Sequence, residues 1–269
     1  MTIATILVHL DTQTRCGARV DLAVDLARRH GARLTGLFAE IAAPQRVGTV
    51  ASWPSADYVA RVDAARSRFV ERTRGLGERA RFVDLDRGGE HTVVLRAVEY
   101  ASSFDLVVLG GYEAGGQVPA DLAEHLLLES GRPVLIVPPV GTFVRVGARP
   151  MFAWHRSRSA ARALCDALPL IEKEAEALVV EAVRAGEAGD EMAALTLDQL
   201  AAHGVAAEWR RVPMDHVDLM DTLLNQASDH GADLLVSGAF DRSGFTLFGG
   251  GAGTRYLLRH MTLPVLLAN

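Results

Sequence analysis

The sequence predicts an α/β protein of two tandem sandwiches, each built on a parallel sheet of about five strands with helices on both faces. Three observations lead there. Continuous apolar runs of strand length alternate with segments of helical period, the pattern of strands buried on both faces. The order of these elements is written twice along the chain. Between the copies, Pro138 to Pro150 (PPVGTFVRVGARP) has no helical period and is punctuated by Pro and Gly, which places the division there. The expected domains are therefore 1–140 and 149–269.

Each copy opens on a strand. TILVHL (Thr5 to Leu10) ends at Asp11, and PMFAW (Pro150 to Trp154) ends at His155. A helix follows in both. AVDLARRHG puts Leu22, Ala23, Leu26 and Ala27 on one face, and SAARALCDALPLI puts Ala161, Leu164, Leu168 and Ile171 on one face. Second strands come next, RLTGLFAEI from Arg33 and ALVVEAV from Ala177. The first copy then carries a proline-bearing insertion, Ala42 to Tyr58, expected as a packed surface loop or a lid, and an arginine-rich helix from Val59 to about Ala80. The last part repeats most literally: SSFDLVVLGGYE (Ser102 to Glu113) answers HGADLLVSGAFD (His230 to Asp241), and SGRPVLIVP answers MTLPVLLA.

Composition narrows the function. With 49% hydrophobic and 23% charged residues and a mean hydropathy of +0.14, the chain has the make-up of a soluble globular protein. A net charge of −5 argues against nucleic acid as a partner, while leaving room for one small anion held by backbone N–H groups. No apolar run reaches membrane-spanning length and the N-terminus lacks a signal-peptide pattern, so a cytoplasmic protein is expected. Cys16 and Cys165 make no disulfide framework, fall at different offsets in the two copies, and read as buried packing residues. Lys173 is the only lysine, which excludes a GK[ST] phosphate loop. His125, His203, His230 and His260 fall near helix ends, where a dipole partner is the usual role, and no histidine is assigned to a metal. Trp53, Trp154 and Trp209 read as core or surface anchors.

One stretch carries the candidate chemistry. GAFDRSGFTLFGGGAGTRYLLRHMTLPVLL, Gly238 to Leu267, runs from a strand through a glycine cluster into a helix and a last strand. With the doubled plan, this block resembles the universal stress protein (UspA) family in its tandem form. The resemblance implies Rossmann-like sandwiches of the adenine nucleotide alpha hydrolase type, with strand order 3-2-1-4-5 in each domain. It also implies a pseudo-dimer of the two domains, leaving open a further homodimer. Where members bind nucleotide, ATP lies at the carboxyl ends of strands one and four, the switch point of an open parallel sheet.

The family's motif, G-x2-G-x9-G-[ST] with an aspartate ending strand one, maps incompletely on both copies. In the second, Gly238 takes the first position, Asp241 stands at the second glycine, and Gly251 is the third, followed by Ala252 in place of a hydroxyl residue. Thr254 offers a hydroxyl slightly farther on, and His155 replaces the aspartate. In the first copy Asp11 and Gly110 match, but Glu113 occupies the second glycine position and QVPADLAEH has no glycine cluster. That degenerate first site is expected to have lost its phosphate seat.

The remaining candidate site is Ala153, Trp154 and His155 at the end of strand one, with Gly238, Gly249, Gly250, Gly251, Gly253 and Thr254. Glycines running into a helix start supply N–H donors with no side chains in the way and a favourable dipole. Thr254 reads as a phosphate hydroxyl or a helix cap. The ligand the resemblance implies is ATP or AMP, and since a carboxylate at Asp241 repels phosphates, a divalent cation such as Mg2+ is expected between them. No general base or arginine finger is apparent, so any hydrolysis is slow and a nucleotide-responsive stress or regulatory protein is expected rather than an enzyme. The motif departures also fit an alternative, a nucleotide-free interaction module for a protein partner or apolar ligand.

Overall fold

The structure, a computed structural model, describes residues 2–42, 45–47, 50–52, 54–85, 89–113, 115–183, 189–213, 219–240 and 251–269, with 45–47 and 50–52 described by backbone alone. Contacts divide the chain into two compact units, Thr2–Val134 and Leu135–Asn269.

The N-terminal unit contains β1 (Thr5–Leu10), α1 (Cys16–His30), β2 (Arg33–Phe38), β3 (Gln45–Val47), β4 (Val50–Ser52), α2 (Ala56–Thr73), β5 (Ala80–Asp84), α3 (Glu90–Ala101), β6 (Leu106–Gly110) and α4 (Leu122–Glu129). Its main sheet runs β6-β1-β2-β5 and every pairing is parallel. β1 and β6 are buried along nearly their whole length, and the edge strand β5 is half-exposed. The stripe Leu22, Ala23, Leu26 and Ala27 on α1 is fully buried, as its period requires. Gly31, at φ +65°, closes α1 in the left-handed conformation that a side chain would strain.

The insertion is more ordered than a loop: β3 and β4 pair as an antiparallel hairpin. The arginine-rich helix starts and stops earlier than its period suggests. Ser55 caps it by accepting the Tyr58 N–H at 3.2 Å, and Gly77, at φ +55°, breaks the 3-10 turn that follows Thr73.

The C-terminal unit takes in β7 (Val134–Val137) from Leu135 on, then β8 (Pro150–Trp154), α5 (Arg158–Ala167), β9 (Glu176–Val183), α6 (Ala193–Ala202), β10 (Ala206–Pro213), α7 (Leu219–His230), β11 (Leu234–Gly238), α8 (Ala252–His260) and β12 (Val265–Ala268). Its order is β10-β9-β8-β11-β12-β7. Counted from β8, the first five strands run 3-2-1-4-5 as expected. β7, the fifth strand of the first copy, continues the hydrogen-bonded order past β12. The reason lies in the strands themselves. VLIV and VLLA are buried at every residue, and an all-apolar strand left at a sheet edge would expose its backbone and side chains together.

The buried face of α5 also departs from expectation. Ala160, Ala163, Leu164 and Ala167 face inward, while Ala161 is exposed. Pro169 ends the α-helix at Ala167, and the following 3-10 turn buries Leu170 in place of Leu168 and Ile171. The alanines bring the helix close to β11: a Cβ on Gly238 would lie 2.4 Å from Ser159 Oγ and 2.7 Å from the Ala160 nitrogen. Helix packing therefore already requires glycine there.

Both copies fasten strand one with the same device. Asp105 Oδ2, just before β6, accepts the N–H groups of Ala4 (2.8 Å) and Thr5 (2.9 Å). Asp233, just before β11, accepts those of Ala148 (2.8 Å) and Arg149 (3.0 Å). Burial alone would raise the Asp105 carboxyl, but these amides, the Thr5 hydroxyl and Arg132 hold it below the ordinary range. Asp105→Ala and Asp233→Ala should each lower unfolding free energy by about 1.5 kcal/mol, read by urea denaturation, and the two losses should add because the sites share no partner.

Candidate functional site

At the carboxyl end of β1, Asp11 is 1% exposed and paired with Arg19, itself 3% exposed, with Arg19 Nη2 donating to Asp11 Oδ2 at 2.8 Å. Arg19 lies one α1 turn beyond Cys16 and reaches back across β6: a Cβ on Gly110 would fall 1.8 Å from Arg19 Nη1. The expected aspartate and first glycine of the degenerate site are thus brought together, and an internal guanidinium occupies the space between them. The cleft that His9, Asp11, Gly110, Gly111 and Glu113 line holds a volume of about 30 Å³. That is room for roughly one water molecule.

His9 completes this cluster. It is 4% exposed, its Nε2–H donates to the Ala39 carbonyl at 2.8 Å, and its Nδ1 lies 3.6 Å from Asp11 Oδ2. Burial lowers the His9 pKa from its ordinary 6.5, although Asp11 pulls the other way. For Asp11, burial raises the pKa, but Arg19, His9 and the Gln13 N–H together hold it below 3.8. Behind the pair, Glu40, 1% exposed at the end of β2, accepts from the Thr12 N–H (2.7 Å) and hydroxyl (2.6 Å) and from Arg61.

The second copy is built differently. Ala153 and Trp154 end β8 and are buried, and His155 follows half-buried. Ser237 pairs with Ala153 across β11 and β8, which sets Gly238 beside the end of β8. α8 begins at Ala252 with Gly251 at its N-cap, in the left-handed region at φ +92°, and among the described residues no side chain caps it. Beyond the strain, a Cβ on Gly251 would lie 2.2 Å from the Phe240 ring. Thr254 is neither the cap nor a hydroxyl held out to solvent. It sits in the first turn, 9% exposed, and its Oγ1 accepts the Phe240 N–H at 3.0 Å. That bond steadies Phe240, a non-glycine residue at φ +52°. Among the described residues, the Met220 methyl alone comes near the missing Cβ of Gly253, at 3.2 Å. Gly249, Gly250, Asp241 and Arg242 lie outside the described residues.

Several groups here escaped the sequence reading. Trp154 Nε1–H donates to Asp190 Oδ2 at 3.0 Å, and Trp209 Nε1–H donates to Glu181 Oε2 at 3.1 Å. The two indoles meet edge to face, 6.2 Å between centroids. Arg211 Nε donates to the same Glu181 oxygen at 3.1 Å. Glu181 is 6% exposed and ends the apolar run of β9 as Glu40 follows that of β2. A carboxylate closing an apolar strand was the available signal for both.

Of the other expectations, Cys16 is buried but Cys165 is exposed, with Gln199 donating to its sulfur at 3.4 Å. His230 and His260 occupy last helical turns and His203 a C-cap, whereas His125 sits within α4 between Asp121 and Glu129. Trp53 falls outside the described residues. Among the described residues there is no group of three or more His, Cys, Asp or Glu able to hold a metal ion, and no helix long and apolar enough to cross a membrane.

Two predictions follow from the buried cluster. The unfolded chain binds a proton at His9 near pH 6.5, and the folded chain only at lower pH. The stability contributed by neutral His9 is therefore complete above about pH 6.5 and lost as pH falls through the folded value. The stability of the wild type to urea should fall as pH drops below about 6.5, and His9→Asn should flatten that part of the profile. Asp11→Asn or Arg19→Met alone leaves one buried charge unpaired and should cost about 3–5 kcal/mol, whereas the double variant should recover most of the loss.

Comparison of the sequence with protein-family models and with curated proteins gives no match. Comparison of the structure does. A universal stress protein from Archaeoglobus fulgidus DSM 4304 superposes with a TM-score of 0.75 at 15% identity, over 98% of this chain and 96% of that one. A candidate universal stress protein from Pseudomonas aeruginosa UCBPP-PA14 gives 0.62 at 14% identity, over 99% and 93%. A protein of unknown function from Pseudomonas aeruginosa PAO1 gives 0.61 at 14%, over 99% and 92%. Over nearly its whole length, the chain has the α/β fold of the universal stress protein structures.

Proposed function

We propose that this chain is a tandem universal stress protein of two sister domains, 1–140 and 149–269, and that its C-terminal domain binds ATP or AMP. The observation that carries the reading is the start of α8. Among the described residues no side chain caps its first turn, its N-cap is a left-handed glycine, and Gly238 ends a neighbouring strand at the same end of the sheet. The amides of a helix start, with the dipole behind them, suit a phosphate group. The N-terminal domain is a poor second site, because Arg19 takes both Asp11 and the space over Gly110.

In this reading α8 receives the phosphates at Gly251 and Gly253, with Gly249 and Gly250 as the approach. Thr254 acts indirectly, by fixing Phe240 beside Gly251. Ala153, Trp154 and His155 border the base and ribose. Mg2+ offsets the repulsion between Asp241 and the phosphates. The protein works by binding rather than turnover, as a nucleotide-responsive stress or regulatory protein in the cytoplasm.

Gly253→Asp separates binding from folding. An aspartate in the first turn favours the helix dipole, and the nearest obstacle is the mobile end of Met220. It also sets a negative charge against the phosphates, and should weaken ATP binding at least about tenfold in calorimetry with Mg2+ while Tm holds or rises. Unchanged affinity would reject this seat. Absence of ATP binding by the wild type would favour the nucleotide-free interaction module.

A further inference from the structure

The carboxyl ends of β8, β9 and β10 carry a polar cluster that the proposed phosphate seat does not use. Trp154 pairs with Glu181 across β8 and β9, and Glu181 with Arg211 across β9 and β10. Registered residues of parallel neighbours share a face, and Trp209, two residues before Arg211, lies on that face as well. Glu181 uses both oxygens: it accepts from Trp209, from Arg211 and from the backbone N–H of Asp190.

Asp190 is the element supplied from outside the sheet. Its side chain is 5% exposed, although it stands in the segment leading into α6. Oδ2 takes the Trp154 indole N–H at 3.0 Å, and Oδ1 takes the Met192 N–H at 2.9 Å and faces Arg156 Nη1 at 3.9 Å. Arg211 Nη2 donates to the Asp190 carbonyl at 3.4 Å. Burial raises this carboxyl, but Trp154, Met192, Arg156 and Arg211 together hold it in the ionised form. An anionic group thus rests among N–H donors at the end of β8, the strand whose end lies beside Gly238.

We propose that Asp190 is an internal stand-in for ligand that holds the C-terminal site closed, and that an adenine nucleotide enters by displacing its carboxylate from Trp154. The proposal rests on the nucleotide reading above. While Asp190 is in place, the Trp154 N–H is spent and a negative charge stands at the end of β8, where the base and ribose would lie. Displacement leaves the indole N–H and Arg156 to acceptors of the ligand, and Glu181 keeps Trp209 and Arg211 in place. Ligand and Asp190 then compete for the same donors, so removing one strengthens the other.

The test is calorimetry of the full chain with ATP and Mg2+, comparing wild type with Asp190→Ala. Asp190→Asn serves as a second variant that keeps an acceptor for the Met192 turn without the charge. Both should bind at least about tenfold more tightly than wild type. Wild-type tryptophan emission should also shift on adding ATP, and the shift should vanish in Trp154→Phe. Equal or weaker binding by both variants would overturn the proposal and leave the nucleotide reading standing. No binding by any of the three proteins would overturn that reading, and this inference with it.

Discussion

A parallel sheet covered on both faces admits few polar side chains along its strands, so its polar chemistry collects at the strand ends. Everything distinctive about this chain follows from how each copy treats the carboxyl end of its first and fourth strands. In the N-terminal unit the treatment is internal. Asp11 ends strand one, Arg19 answers it from α1, and the guanidinium fills the space that glycine leaves at position 110. A buried pair of this kind adds little net stability over apolar packing, but removing either partner is costly. Beside the plug, burial holds the His9 pKa below its ordinary value, and Glu40 turns to Thr12 and Arg61 for partners.

The C-terminal unit meets the same constraint with backbone rather than side chains. Gly238 lets α5 pack against β11, and Gly251 lets the chain enter α8 under the Phe240 ring. Thr254 spends its hydroxyl on the Phe240 N–H, so the turn before α8 is held by a bond from within the helix. The two copies share a plan and the device of Asp105 and Asp233, yet they differ at the carboxyl ends of strands one and four. One has a carboxylate already neutralised, and the other has amides at a helix start.

Much of this was legible in the chain. The duplicated apolar runs gave the strands and their parallel pairing, and the α1 stripe was read correctly because Leu22 and Leu26 dominate it. The α5 stripe was misread because an alanine helix gives periodicity little contrast and Pro169 changes the helix type midway. The place of β7 beside β12 depends on a non-local pairing that no window of sequence contains. At the site, glycines and Asp11 were visible by spacing. Arg19, Glu181 and Asp190 were not, because each acts through a partner 8, 28 or 36 residues away in sequence.

The account stands on the claim that the C-terminal unit alone keeps a seat for nucleotide. Photo-crosslinking of the intact protein with azido-ATP, followed by peptide mass spectrometry, tests it most directly. Label confined to peptides between Pro150 and Asn269, and displaced by excess ATP, is the predicted result. Displaceable label on peptides carrying Asp11 or Gly110 would contradict it.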